Sequence, residues 1–155
     1  MNRSERPRAM TLAGRWAAVV VATFLALLLG IASQLDPDPR GMGTHEQLGL
    51  GSCFFVRMWG VGCPSCGMTT AWSHVMHGQF GAAAGANLAG TMLAIMALVS
   101  IPWLLASAAR GRWCYLRPAG GLLLPLLVVV MAVAVGHWCR RWVLELALDV
   151  VAAFR

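Results

Sequence analysis

The sequence predicts an all-α integral membrane protein: three transmembrane helices, an interfacial helix following a Cys-Pro-x-Cys motif, and an amphipathic C-terminal helix. Three observations predict it. Of the 155 residues, 59% are hydrophobic, about 70% when Gly is counted, against about 45–50% in soluble domains. Charged residues make up 12%, about half the usual share. All 12 basic residues are Arg, and they flank apolar runs in the manner of orientation signals. The net charge of +6 and pI near 9.9 therefore point to a lipid bilayer as partner and not to nucleic acid.

Each element follows from that pattern. Residues 1–15 carry Arg3, Arg6, Arg8 and Arg15 against Glu5 alone and read as a basic cytoplasmic tail. Residues 16–35 are free of formal charge and long enough for one crossing. A cleaved signal peptide over residues 1–32 is the competing reading, and the length of the apolar run argues against it. Asp-Pro-Asp-Pro at 36–39 stops the helix, and residues 36–62 read as an outer polar loop holding three of the six acids. From Met58 to Ala109 no Asp, Glu, Lys or Arg occurs, more than twice what one crossing needs. Residues 63–86 are read as an interfacial helix with a Gly/Ala-rich segment, and 87–109 as the second crossing, with Pro102 inside it. Residues 110–117 form a basic cytoplasmic turn and 118–139 a third crossing. In the tail, 140–155, Arg141, Glu145 and Asp149 follow at i, i+4, i+8, as in an amphipathic surface helix. The arginines place the N-terminus in the cytoplasm and the first loop outside.

One constellation bears chemistry: Gly62-Cys63-Pro64-Ser65-Cys66-Gly67-Met68-Thr69-Thr70, followed by His74, His77 and Gly78. Pro64 suits the first position of a helix and Gly78 its end. A Cys pair at a helix start favours the thiolate, the form that attacks disulfides or binds metals. With about 1.5 Å rise per residue, His74 and His77 lie too far along the helix to share an ion with Cys66, so a metal held by Cys63 and Cys66 needs ligands from elsewhere. His45 and His137 are read as solvated. Cys53, Cys63, Cys66 and Cys139 fall on the outer side, where disulfides persist, and Cys114 on the inner. No Ser-His-Asp order, phosphate loop or paired carboxylates occur.

Three readings of the cysteines stay open. The first, a non-enzymatic accessory or assembly component with no cofactor, uses Cys63 and Cys66 as a structural staple, with Gly85, Ala89 and Gly90 suited to packing against other membrane-protein subunits. The second is a membrane thiol-disulfide oxidoreductase, quinone-linked in one form, with Cys63 attacking, Cys66 resolving and Cys53 or Cys139 as relay. The third is a Cys-based metal site.

The run Cys-Pro-Ser-Cys-Gly-Met-Thr with its downstream His-Gly and Asn resembles the domain of unknown function 2752 family of small bacterial membrane proteins, over about residues 60–107. Cys63, Pro64, Cys66, Gly67, Thr69, His77, Gly78 and Asn87 match the family pattern. Thr70 stands where the family usually has Arg, and Leu88 where it has Pro. The resemblance implies a multi-pass protein of the bacterial cytoplasmic membrane and brings no established activity. Loss of the Arg removes a cation that could lower a nearby thiol pKa.

Overall fold

The structure, a computed structural model, describes residues 9–114 and 120–153. Six α-helices and one 3-10 turn occur among them, with no strand. Arg3, Arg6, Arg8, Arg117 and Pro118 lie outside the described residues, as do the side chains of the tail from Glu145 onward.

Two helices of 23 residues, α1 (Leu12–Gln34) and α5 (Leu88–Arg110), form the frame. Each is long and apolar enough to cross a membrane. They run antiparallel. Arg15 near the start of α1 donates from Nε to the Ala108 carbonyl near the end of α5 at 2.8 Å, and the Met10 amide donates to Gly111 O at 2.8 Å. The buried positions are small: Ala18, Ala22 and Ala32 with Leu29 on α1, and Ala89, Gly90, Thr91, Ala94 and Ala97 on α5. Small side chains let the two backbones approach closely. The large ones, among them Trp16, Val20, Phe24, Leu27 and Ile31 on α1 and Val99 and Leu105 on α5, are exposed.

Helix α1 starts one turn earlier than residue 16, because Thr11 caps it by accepting the Gly14 amide at 3.1 Å, a stronger start signal than the charge at Arg15 is a stop. The polar loop over residues 36–62 is not wholly irregular. It holds a 3-10 turn, Thr44–Leu48, and a short helix α2, Phe54–Trp59, closed by Gly60 at φ 72°.

The helix expected within residues 63–86, opened at Pro64 and ended at Gly78, is α3, Met68–Met76. Pro64 does not occupy its first position. It lies in a turn closed by the Cys66 amide on Cys63 O at 2.9 Å, and Gly67, at φ 81°, ends that turn and caps α3. A left-handed residue there reverses the chain, which a helix entered directly from Pro64 would not. The Gly/Ala-rich segment is itself helical, α4 (Phe80–Ala86), since Ala is the best helix former. Helix α3 packs against the end of α1 and the start of α5: the Ser73 hydroxyl donates to Leu35 O, and Met68 lies against Gly90.

The segments expected as a third crossing, 118–139, and as an amphipathic tail, 140–155, fall in one helix, α6 (Gly120–Ala153). Cys139–Arg140 is no boundary because nothing between Gly136 and Ala153 is Gly or Pro, and Arg is a good helix former. Two helices, not three, pass the length and apolarity test among the described residues.

Candidate functional site: a three-thiol cluster

The end of the frame formed by the α1 C-terminus and the α5 N-terminus collects the cysteines. The sulfurs of Cys53, Cys63 and Cys66 all lie within 4.8 Å of one another. Cys63 and Cys66 are brought to 3.3 Å by the turn between them, and the Cys63 amide also donates to Cys66 Sγ at 3.1 Å. Cys53, immediately before α2, closes the group from a separate segment. Cys139 is exposed on α6. Cys114 sits beyond the far end of α5, near the start of α1, outside the group.

Asn87 locks this turn to α5. Its Oδ1 accepts the Gly90 amide at 2.8 Å, capping the helix. Its Nδ2 donates to Cys66 O at 3.0 Å and Pro64 O at 3.2 Å. One buried side chain thus joins the cysteine turn to a spanning-length helix. Gly67 makes the approach possible: a Cβ there would meet Gly41 O at 2.5 Å and Ala86 O at 2.7 Å.

The other expected residues have local roles. His77 Nδ1 lies 2.8 Å from Ser73 O, and Gly78 at φ 74° turns the chain out of α3. His74 Nδ1 pairs with Gln79 Oε1 at 2.6 Å. Thr69 is half-buried. Thr70, at the position of the family Arg, is fully buried and hydrogen-bonds Thr44 at 2.9 Å. Thr44 in turn accepts the Asp38 amide at 3.0 Å, so the hydroxyl pair fastens the loop to α3. Gly90 is buried against Met68 and Ala71 within the chain, whereas Gly85 is exposed.

The thiols differ electrostatically. Burial raises the Cys53 thiol, but hydrogen bonds from Cys66, from the Val56 and Phe55 amides and from Cys63 outweigh it and lower the pKa to about 7. Burial pushes Cys66 up, and its neighbours Cys63 and Cys53 add to this, to about 12. Of these two thiols Cys53 is therefore the one that ionises near neutrality, and Cys66 keeps its proton. In reduced, metal-free protein, alkylation mapped by mass spectrometry should modify Cys53 before Cys66. The Cys53 rate should rise through pH 7 and level off above it, because the thiolate is the nucleophile. Equal rates at Cys53 and Cys66 at pH 7 would contradict this electrostatic ordering.

His137 was expected to be solvated. Instead it is half-buried, and its Nε2 is buried without a hydrogen-bond partner. Nothing in local spacing signals this, since α6 meets the cysteine turn through Trp138 and Gly62, 76 positions apart.

Helix α2, the cysteine turn, α3, α4 and most of α5 form one continuous stretch that begins at Cys53. Residues 53–101 match the family model described as Protein of unknown function (DUF2752). The DUF2752 segment thus includes all three clustered thiols, and it begins earlier than the resemblance at residues 60–107. It is about a third of the chain. Neither the curated proteins nor the solved structures contain a match.

Proposed function

We propose that this protein is a small, non-enzymatic membrane protein in which Cys53, Cys63 and Cys66 hold a thiophilic metal ion of the zinc class, and that the ion fixes the outer end of the helical frame. The observation that carries the reading is the approach of three thiols within 4.8 Å. A tetrahedral ion with Zn–S bonds of about 2.3 Å sets its sulfurs about 3.8 Å apart, close to the 3.3 Å between Cys63 and Cys66. Gathering thiols from two segments is the use small folds make of structural zinc. The exposed Val, Leu, Ile, Phe and Trp side chains of α1 and α5 support burial in lipid. The arginine distribution supports a cytoplasmic N-terminus, with the thiol cluster outside. The resemblance to a bacterial membrane family supports the cytoplasmic membrane as location.

A second reading is favoured by the 3.3 Å sulfur separation: thiol-disulfide exchange with a partner protein. Cys63 Sγ attacks one sulfur of a partner disulfide, and its proton passes to the other sulfur, which leaves as a thiol. Cys66 Sγ then attacks Cys63 Sγ, closes a Cys63–Cys66 disulfide and passes its proton to the departing partner sulfur, so that the partner leaves as a dithiol. A second, reduced dithiol protein returns Cys63 and Cys66 to thiols by the reverse exchange and is itself oxidised.

Metal analysis of the full-length protein, with mass spectrometry of its thiols, separates the two. The expected result is one zinc per chain with Cys53, Cys63 and Cys66 reduced, lost in each of Cys53→Ser, Cys63→Ser and Cys66→Ser and retained in Cys114→Ser and Cys139→Ser. A metal-free protein with a Cys63–Cys66 disulfide would replace the metal reading with exchange.

A further inference from the structure

Helix α6 returns to the cysteine turn at one level. The Trp138 indole donates to Gly62 O at 2.7 Å, and one helical turn from His137 the Arg141 guanidinium reaches Ala86 O at 3.4 Å. Between them lies a cavity of about 10 Å³ lined by two of the three clustered thiols, Cys63 and Cys66, with Asn87, His137 and Arg141, while Cys53 stands outside its lining. That is room for one water or one small ion. His137 contributes to its wall, and its Nε2, like Trp72 Nε1 away from this wall, is a buried ring nitrogen with no hydrogen-bond partner among the described residues. A buried polar atom left unpaired is a standing cost that native structures rarely carry without a function.

We propose that His137, through Nε2, is the fourth ligand of the ion held by Cys53, Cys63 and Cys66, so that the ion clamps α6 to the DUF2752 segment. The inference rests on the three-thiolate reading and completes its coordination. Three thiolates leave one tetrahedral corner open, and Cys3His is a standard closed set for structural zinc. His74 and His77 do not line the cavity, and their Nδ1 atoms are engaged by Gln79 and Ser73 O. The Asn87 amide is engaged by Gly90, Pro64 and Cys66. A divalent ion with three thiolates and a neutral imidazole carries one net negative charge, and Arg141 on the same wall is the cation that balances it.

The test is titration of the reduced full-length chain in detergent with Co2+ alone, followed by the thiolate charge-transfer band and the ligand-field bands. Wild type should give a tetrahedral spectrum. His137→Gln should keep the charge-transfer band of three thiolates, shift the ligand-field bands and lose about 100-fold or more in affinity, at or beyond the range for outer-shell partners. His137→Cys should restore affinity and strengthen the charge-transfer band. Trp138→Phe, which loses only the bond to Gly62, should leave the ligand-field bands in place. An unchanged spectrum and affinity in His137→Gln overturns the His137 assignment while leaving the thiolates in place. The same spectral shift and loss in Trp138→Phe overturns it too, because helix docking would then explain the effect. Failure of wild type to bind Co2+ overturns the three-thiolate reading and this one with it.

Discussion

Replacing Asn87 by Ala is expected to destabilise the protein by about 2–4 kcal/mol and to loosen the cysteine turn. Asn87 is 3% exposed and serves two structures at once. As the N-cap of α5 it satisfies the Gly90 amide, and losing such a cap costs about 1 kcal/mol. As a double donor it satisfies Pro64 O and Cys66 O, and a buried acceptor left without its donor adds about 1–3 kcal/mol. Thermal unfolding in detergent measures the sum. Asn87→Asp separates the parts, because a carboxylate keeps the cap but cannot donate to the two carbonyls. If Asp is as harmful as Ala, the donors carry the effect. If Asp is harmless, the role of Asn87 reduces to helix capping and the link to the cysteine turn is wrong.

Gly67→Ala is expected to be at least as damaging, by about 3 kcal/mol or more. The backbone at Gly67 has φ 81° and ψ 0°, a conformation that costs an L-residue about 1–2 kcal/mol. The added Cβ would sit 2.5 Å from Gly41 O and 2.7 Å from Ala86 O. Both obstacles are backbone, so relief requires moving the 36–43 loop or the end of α4, and overpacking of that kind adds about 1–3 kcal/mol. The expected readout is a lowered unfolding temperature together with weakened retention of the ion proposed for the three thiols, since Gly67 directly follows Cys66. By contrast, Gly85→Ala meets no atom within 4 Å and should leave both unchanged. A Gly67→Ala protein as stable as Gly85→Ala would show that this close approach does not form.

How much of this was legible beforehand depended on the range of the interaction. The α1 and α5 helices were visible because long apolar runs and stop signals such as Asp-Pro-Asp-Pro act within one segment. So was the chemistry-bearing turn at Cys63–Cys66, where Pro and Gly have their own backbone preferences. Pro64 was misplaced onto a helix because the left-handed Gly67 between it and α3 depends on Gly41 and Ala86 across the fold. The break expected at Cys139 reflected charge, which affects membrane placement but does not interrupt a helix of good formers. Thr70 read as a missing cation, and the structure makes it half of a buried hydroxyl pair with Thr44.

The sequence by itself determined the helical class, two of the three spans it predicted, the Gly78 turn just past the end of α3 and the close pair formed by Cys63 and Cys66. All of these follow from periodicity, hydropathy and local backbone preference, which act over a few residues. Only the tertiary structure decided that Cys53 joins Cys63 and Cys66, that Asn87 ties their turn to α5, and that His137 buries an unpaired nitrogen beside them. Those contacts join segments far apart in the chain, brought together by the close packing of small residues on α1, α3 and α5, and no local pattern encodes which distant side chains such packing will make neighbours.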